Sequence, residues 1–286
     1  MSAVAERPRL SLPEVTLICV DTRTPELAIT AMLQCMAQID FGEVLLFTDP
    51  MRVPVLPPGI HIRGARIDTV ADYSQFMLNG LAPHVFTRHA LIVQWDGFVV
   101  DATQWDPDFL LYDYIGAPLR DLPPERAVGN GGFSLRSRRL LVALRQAQLK
   151  NPHPEDLAIC VENRDHLEQV HDIRYAPLDM ARRFAYERLP PEGPTFGFHG
   201  LFNMHQVLAP EVLDQLLREM PDGMSRSLDA HDLCRTLIRL GRLDSAELLL
   251  AKRRRLGLRD RRTLRLKLLL AWARLWQRGP AAPARA

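Results

Sequence analysis

Val15-Thr16-Leu17-Ile18-Cys19-Val20-Asp21 is an apolar run with a carboxylate at its end. Apolar residues at successive positions, rather than alternate ones, suit a strand covered on both faces of a parallel sheet. Two further runs have the same form. Val44-Leu45-Leu46-Phe47 ends at Thr48-Asp49, and Ala90-Leu91-Ile92-Val93 ends at Gln94-Trp95-Asp96. Ile60-His61-Ile62-Arg63 reads as a shorter strand between them. Helical patterns separate these runs. Pro25 opens one that Leu27, Ala28, Ala31, Leu33 and Met36 carry to about Ile39, and Tyr73 to Leu81 forms another. Strand, helix, strand, strand, helix, strand predicts an α/β layer with a mostly parallel sheet. Ligands of such sheets bind beyond the carboxyl ends of strands, where Asp21, Asp49 and Asp96 fall.

Working outward, the segment from Gln104 to Pro124 is rich in Trp, Tyr, Asp and Pro and reads as irregular loop. After Pro210 the pattern becomes helical, over Glu211–Met220, Leu228–Leu240, Ser245–Arg255 and roughly Arg261–Gln277. The turn Leu240-Gly241-Arg242 resembles that of a tetratricopeptide-like hairpin, present once and so not an array. The expected organisation is a disordered N-terminus over 1–11, an α/β domain over 12–208, a helical appendage over 209–278 and a disordered tail over 279–286.

The whole chain has 286 residues, 47% hydrophobic and 24% charged, with a formal net charge of +2. This is ordinary globular composition, and no global field selects a nucleic-acid partner. Cys19, Cys35, Cys160 and Cys234 are scattered, so neither a disulfide framework nor a zinc ribbon is expected. Residues 1–12 carry no apolar signal core, and no apolar run reaches about 18 residues. A cytoplasmic protein is expected.

Val128-Gly129-Asn130-Gly131-Gly132-Phe133-Ser134-Leu135-Arg136-Ser137 is the stretch that points to chemistry. Its three glycines predict positive φ angles and close ligand approach. A helix over roughly Leu135–Gln148 is expected to follow at once, so that the loop delivers free N–H groups to one spot. The plain alternative is a turn closing a helix N-terminus. The stretch matches neither the phosphate loop of nucleotide triphosphatases nor the dinucleotide fingerprint.

Four motifs stand in order: Gln94-Trp95-Asp96-Gly97-Phe98, the glycine stretch, His153-Pro154-Glu155-Asp156 and Thr195-Phe196-Gly197-Phe198-His199-Gly200. With these, over roughly residues 12 to 205, the chain resembles a bacterial family of uncharacterised proteins taken to be glycosyltransferases. The resemblance implies a GT-A-like, Rossmann-type nucleotide-diphosphosugar transferase fold with a small all-helical C-terminal appendage. It implies a nucleotide-sugar donor, a glycan or other hydroxyl acceptor, and an enzyme of the hexosyltransferase class.

The leaving diphosphate gathers negative charge, which a divalent cation or positive side chains must meet. GT-A enzymes place an Asp-x-Asp motif at a strand end for this. Here the matching position reads Gln94-Trp95-Asp96, so only the second carboxylate is present. The resemblance makes Asp96 and His199 the candidate ligands of manganese or magnesium, with Asp101 a weaker candidate. Asp96 could instead cap the turn at Gly97, and a lone histidine is often a satisfied core residue. Glu155 and Asp156 match the acidic pair that supplies the base in inverting enzymes, Asp156 preferred as base and Glu155 orienting the acceptor, or the reverse. Simple capping of a helix N-terminus is the alternative. Asn130, Gly131, Gly132 and Ser134 would face the sugar, with Gln94 and Trp95 on the donor side. Asp21 and Thr22 would face base or ribose. Tyr73, Ser74 and Phe76 would line the nucleotide or merely pack. Trp95 and Trp105 would stack on a ring or fill core.

The last helix interleaves Arg261, Arg262, Arg265 and Lys267 with Leu and Trp. It suits either an anionic membrane surface, giving a membrane-peripheral protein, or a docking helix with solvated arginines. Besides the transferase, three other readings stand. One is a non-catalytic nucleotide-sugar or glycan-binding scaffold. Another is a metal-dependent hydrolase, for which no H-x-H or H-E-x-x-H is present. The last is an interaction module led by the helical tail.

Overall fold

A computed structural model describes residues 9–53 and 55–277. Residues 1–8 and the tail from 279 lie outside the described residues. The chain divides into two compact units, the first ending at His199 and the second beginning at Gly200.

The first unit is built on a six-stranded sheet in the order β3-β2-β1-β4-β6-β5. Its strands are β1 (Leu10–Val20), β2 (Ile39–Thr48), β3 (His61–Gly64), β4 (His89–Val93), β5 (Tyr114–Gly116) and β6 (Ser134–Ser137). The pairs β1–β2, β1–β4 and β2–β3 are parallel, as the apolar runs predict. β1 begins at Leu10, so Leu10 and Ser11 are strand rather than part of a disordered N-terminus. Its pairing slips between Leu12 and Thr16, beside Pro13, which has no N–H to give the ladder.

The sheet is covered on both faces. Ile18, Val20, Leu45, Phe47, Ala90 and Ile92 pack with Met77, Leu81 and Val85 on one side. The alternating residues Leu17, Cys19, Leu46 and Leu91 are also wholly buried. Helix α1 (Pro25–Met36) has Pro25 at its start and buries Leu27, Ala28, Ala31, Met32 and Cys35. Helix α2 (Val70–Asn79) is opened by a capping box, Thr69 Oγ1 accepting from Asp72 N and Asp72 from Thr69 N.

Two expectations fail in the middle of the unit. Tyr114–Gly116 within the supposed loop is a strand, and Ser134–Ser137 is a strand where a helix start was expected. β6 pairs antiparallel with both β4 and β5. Ser134-Leu135-Arg136-Ser137 alternates rather than repeating every three to four residues, and sheet pairing decides its conformation. Helix α3 (Arg138–Gln146) starts only afterwards, with Ser137 Oγ accepting from Leu140 N as its cap. The glycine loop therefore leads into a strand. Nor do Gly129, Gly131 and Gly132 take positive φ; among the described glycines that conformation falls to Gly59, Gly200, Gly241 and Gly257.

The remaining elements of this unit are α4 (Glu155–Leu157), a π-helical turn (Ala158–Glu162), α5 (Arg164–His171), α6 (Leu178–Phe184), β7 (Ala185–Tyr186) and β8 (Gly197–Phe198). Phe109, Phe133, Phe184 and Phe196 form a second buried cluster with ring centroids 5.1 to 6.4 Å apart.

The second unit holds α7 (Met204–Val207), α8 (Pro210–Glu219), α9 (Leu228–Arg239), α10 (Leu243–Arg255) and α11 (Arg261–Gln277). Residues Leu201–Asn203 pack on α9, so the division falls ahead of the expected 208/209. Gly241 takes φ 72° in the turn between α9 and α10, as a hairpin of two helices requires. Among the described residues, no helix is long and apolar enough to cross a membrane.

Candidate functional site

Antiparallel pairing of β6 decides where the glycine loop lies. Ile92 in β4 faces Ser134, the first residue of β6. The loop before Ser134 therefore runs past the carboxyl end of β4, beside Gln94-Trp95-Asp96. A β-bridge between Gln94 and Gly97 turns the chain back at that point.

Two glycines of the loop each meet one half of a polar cluster. A Cβ on Gly132 would lie 2.1 Å from His199 Nε2. A Cβ on Gly131 would lie 2.6 Å from Glu155 Oε1 and 2.9 Å from the Asp156 Cβ. The glycines supply room for side chains to close on the backbone.

On the Gly132 side, His199 stands between two carboxylates. Its Nε2 is 3.6 Å from Asp96 Oδ1 and its Nδ1 is 3.5 Å from Glu187 Oε1. Burial, the largest single effect, pulls its pKa down, but Asp96 and then Glu187 outweigh it and push it up to about 10. His199 is therefore an imidazolium at neutral pH. Its Nε2 also lies 3.1 Å from Gln94 Oε1, and Gln94 Nε2 donates to the Tyr73 hydroxyl at 2.9 Å. Burial first, and then the Glu155 carboxylate, push the Tyr73 hydroxyl above its ordinary value. Asn130 packs from the other side, its Nδ2 3.2 Å from His199 Nδ1 while its Oδ1 accepts from Phe133 N.

On the Gly131 side, the wholly buried Arg136 pairs with Glu155, Nη2 to Oε1, at 3.1 Å. Arg136 also donates from Nε to Ser134 Oγ and from Nη2 to Gly131 O, and lies over the Tyr114 ring. Its Nη1 has no partner. Asp156 is less buried than Glu155. Its carboxylate accepts from Gly131 N at 3.3 Å and Leu157 N at 2.9 Å. Burial first, and Glu155 second, raise its pKa above the usual carboxylate range. A carboxylate so raised is a stronger proton acceptor.

The structure thus brings together Tyr73, Gln94, Asp96, Asn130, Gly131, Gly132, Glu155, Asp156 and His199. Ser134 is beside them but not open to a ligand. It is wholly buried, its hydroxyl donating to Gly131 O and accepting from Arg136, so it braces the loop. Trp95 is half-buried at the strand end. Trp105 packs edge-on against Phe109 and Phe196 and fills core. Asp101 caps the turn that follows it, accepting from Thr103 N and Oγ1 and from Gln104 Nε2.

Asp21 is taken up by the turn into α1, where its carboxylate accepts from Arg23 N, Thr24 N and Thr24 Oγ1. Thr22 donates to Ile67 O and lines a cleft of about 610 Å³ with Asp49, Arg52, Arg66 and Asp68, past the ends of β1 to β3. Ser74 is buried and lies 2.7 Å from His153 Nδ1, and Phe76 packs edge-on against Phe47. Both carry structure.

Sequence reasoning passed over Arg136 and Glu187. Arg136 shares a strand face with Ser134, and that alternation was its only sign. Glu187 follows the two-residue β7 with no local pattern. All four cysteines are free and buried, and burial pushes up each thiol, Cys35 to about 12, so none is poised as a nucleophile.

Residues 60–199 match a family model described as protein of unknown function (DUF5672). The matched stretch contains every member of the cluster and ends on His199. The structure is similar to the mannosyltransferase PcManGT from Pyrobaculum calidifontis, solved in complex with GDP-Man and Mn2+. That likeness covers 96% of this chain and 87% of the other, at 15% identity and a TM-score of 0.36. No curated protein matches the chain.

The donor set suits a divalent cation in one way. Asp96 and Glu187 flank opposite nitrogens of the His199 ring, so all three cannot converge on one ion. Accordingly, no three His, Cys, Asp or Glu among the described residues form a metal cluster. Asp96 and His199 Nε2 do face each other, with Gln94 Oε1 at the same edge. Carboxylate and amide oxygens with one imidazole fit manganese or magnesium, which take remaining ligands from phosphates and water. A cation bound at Nε2 must displace the proton held there.

Proposed function

We propose that the protein transfers a sugar from a nucleoside-diphosphate donor to a hydroxyl acceptor, with inversion at the anomeric carbon. One observation carries the reading. A positive group and a raised carboxylate stand on opposite halves of a single glycine loop at a strand end. Asp156 takes the proton of the acceptor hydroxyl as its oxygen attacks the anomeric carbon. The bond from that carbon to the diphosphate breaks, and the diphosphate leaves with the electron pair. Asp156 is the base because Glu155 is held by Arg136 and is the more buried of the two.

Asp96 and His199, with Gln94 behind them, face the diphosphate. Manganese or magnesium, when bound, screens the charge that gathers on the leaving group, and Asp96 and Nε2 of His199 would hold it. Glu187, facing Nδ1, fixes the ring, and Gly131 and Gly132 let donor and acceptor come close to the backbone. The cleft lined by Thr22, Arg52 and Asp68 is where base and ribose are received.

Donor binding tests this reading. Ligand-observed NMR with uridine-, guanosine- and thymidine-diphosphate sugars, with and without manganese, is expected to show one donor class bound. Failure of all three classes to bind sinks it. A second reading has one observation in its favour. Gln94 replaces a carboxylate, and both ends of its amide are engaged, by Tyr73 and His199. A scaffold that binds a nucleotide sugar without turnover would show donor binding indifferent to Asp156→Asn and no product with any acceptor.

A further inference from the structure

Residues 252–277 carry ten basic residues against one acid, Asp260. Half of these cations are paired within the helical unit. Lys252 and Arg255 meet Asp222, Arg253 meets Asp260, and Arg254 and Arg274 meet Glu247. Among the described residues, Arg259, Arg261, Arg262, Arg265 and Lys267 form no ion pair. All but Lys267 are exposed.

The same helix has two apolar faces. Thr263, Leu266 and Leu270 are at most 4% exposed, on the side that packs on α9 and α10. The opposite side leaves Leu264, Leu268, Trp272 and Trp276 between 56 and 72% exposed, at a spacing of four. This spacing sets them in one stripe. Leu275 joins it at 69% exposure, and the two tryptophan rings touch with centroids 5.4 Å apart. Arg261 and Arg265 fall on this side in the first turns. Below them, Arg226, Arg253, Arg261 and Arg262 line an open cleft of about 430 Å³ whose only acid is Asp260.

We propose that α11 seats this protein on an anionic lipid bilayer, with the arginines of its first turns at the phosphates and its leucine–tryptophan stripe in the interface. Charge selects this occupant. A second copy of the chain would cover the stripe but bring two cationic helices together, while an anionic surface satisfies stripe and cations at once. Tryptophan beside leucine on the far half suits the boundary between headgroups and acyl chains. The proposal is independent of sugar transfer.

The test uses the full chain in vesicle co-sedimentation, with phosphatidylcholine alone and with phosphatidylglycerol added. Binding to the anionic vesicles is expected to be at least about tenfold tighter, since each basic residue near the surface adds to the attraction. It should weaken as salt screens the surface. The triple variant Arg261→Glu/Arg262→Glu/Arg265→Glu is expected to lose about tenfold or more. Trp272→Ser/Trp276→Ser should lose binding with net charge unchanged. Circular dichroism and melting of both variants are expected to match the parent, since all five side chains are exposed. In the parent, tryptophan emission should shift to the blue on binding and be quenched by brominated lipid; Trp272→Phe/Trp276→Phe abolishes this although Trp95 and Trp105 remain. Equal binding to both vesicle types, no binding to either, or unchanged binding by the charge-reversed chain overturns the proposal. So does a parent dimer that the tryptophan variant dissolves.

Discussion

Buried cations occur in both units, and the contrast between them separates fastening from function. In the helical unit, Lys252 Nζ donates to Arg218 O, Met220 O and Asp222 Oδ1. Each nitrogen of Arg253 has an acceptor too, in Thr263, Ser225 or Asp260. These two side chains tie the end of α8 and the turn after it to α10 and α11. In the sheet unit, Arg136 is buried as completely, yet its Nη1 has no acceptor. Its counterion Glu155 stands next to Asp156, whose ionised form that neighbour opposes. Saturated cations hold a fold together; Arg136, with a donor to spare beside a carboxylate held above its ordinary pKa, has the pairing on which the proposed site rests.

The comparison can be broken most sharply at Asp156. Asp156→Asn is expected to lower transfer by about 10² to 10⁴-fold, the usual worth of a positioned base. The same change should raise the melting temperature. Its folded pKa is raised, so the fold favours the protonated carboxyl; that stability is full below the unfolded value near ~3.9 and lost as pH rises through the raised value. At neutral pH the charge therefore opposes folding, and the neutral amide relieves it. For the same reason the parent's rate should fall as pH drops through the Asp156 pKa. Initial rates and thermal melts check both halves, and a slower but less stable variant would remove Asp156 from this role.

Arg136→Met should cost about 3–5 kcal/mol of stability in urea unfolding, because Glu155 is left buried and unpaired. Adding Glu155→Leu should restore much of the loss; if the double variant is worse than the single, the pair is not the unit described. Lys252→Met sharpens the other side. It leaves carbonyls of Arg218 and Met220 without a donor and should cost about 1–3 kcal/mol, with donor binding untouched. A separate effect is expected in the pH slope of stability. His199 has a folded pKa raised to about 10, so its contribution is full below the unfolded value near ~6.5 and fades as pH rises through about 10. Stability of the parent should fall over that interval, and His199→Gln should flatten the fall. Manganese binding should strengthen with pH over the same interval, as the metal displaces a proton.

The sheet was legible because β1, β2 and β4 are buried on both faces, which leaves uninterrupted apolar runs. β5 and β6 were not, being short and mixed, and their pairing depends on partners far along the chain. Gln94, Asp96, Asn130, Glu155, Asp156 and His199 are brought together as their motifs implied, but the glycines do a different job from the one expected. Gly131 and Gly132 make room for side chains instead of bending the backbone. Arg136 escaped notice because charged residues are rarely buried whole, and nothing local marks one that is. Asp21 is engaged by its own turn. A carboxylate at a strand end is where ligands bind, and it is also where a following helix needs its turn closed.

The contact between His199 and Gln94 spans 105 residues. Every strand of the main sheet has been synthesised once Ser137 is reached, yet the imidazole that completes one half of the cluster is the last residue of the unit. During synthesis, therefore, the sheet can form well before the site exists. Closing so long a loop is slow but adds little entropy cost beyond a shorter one.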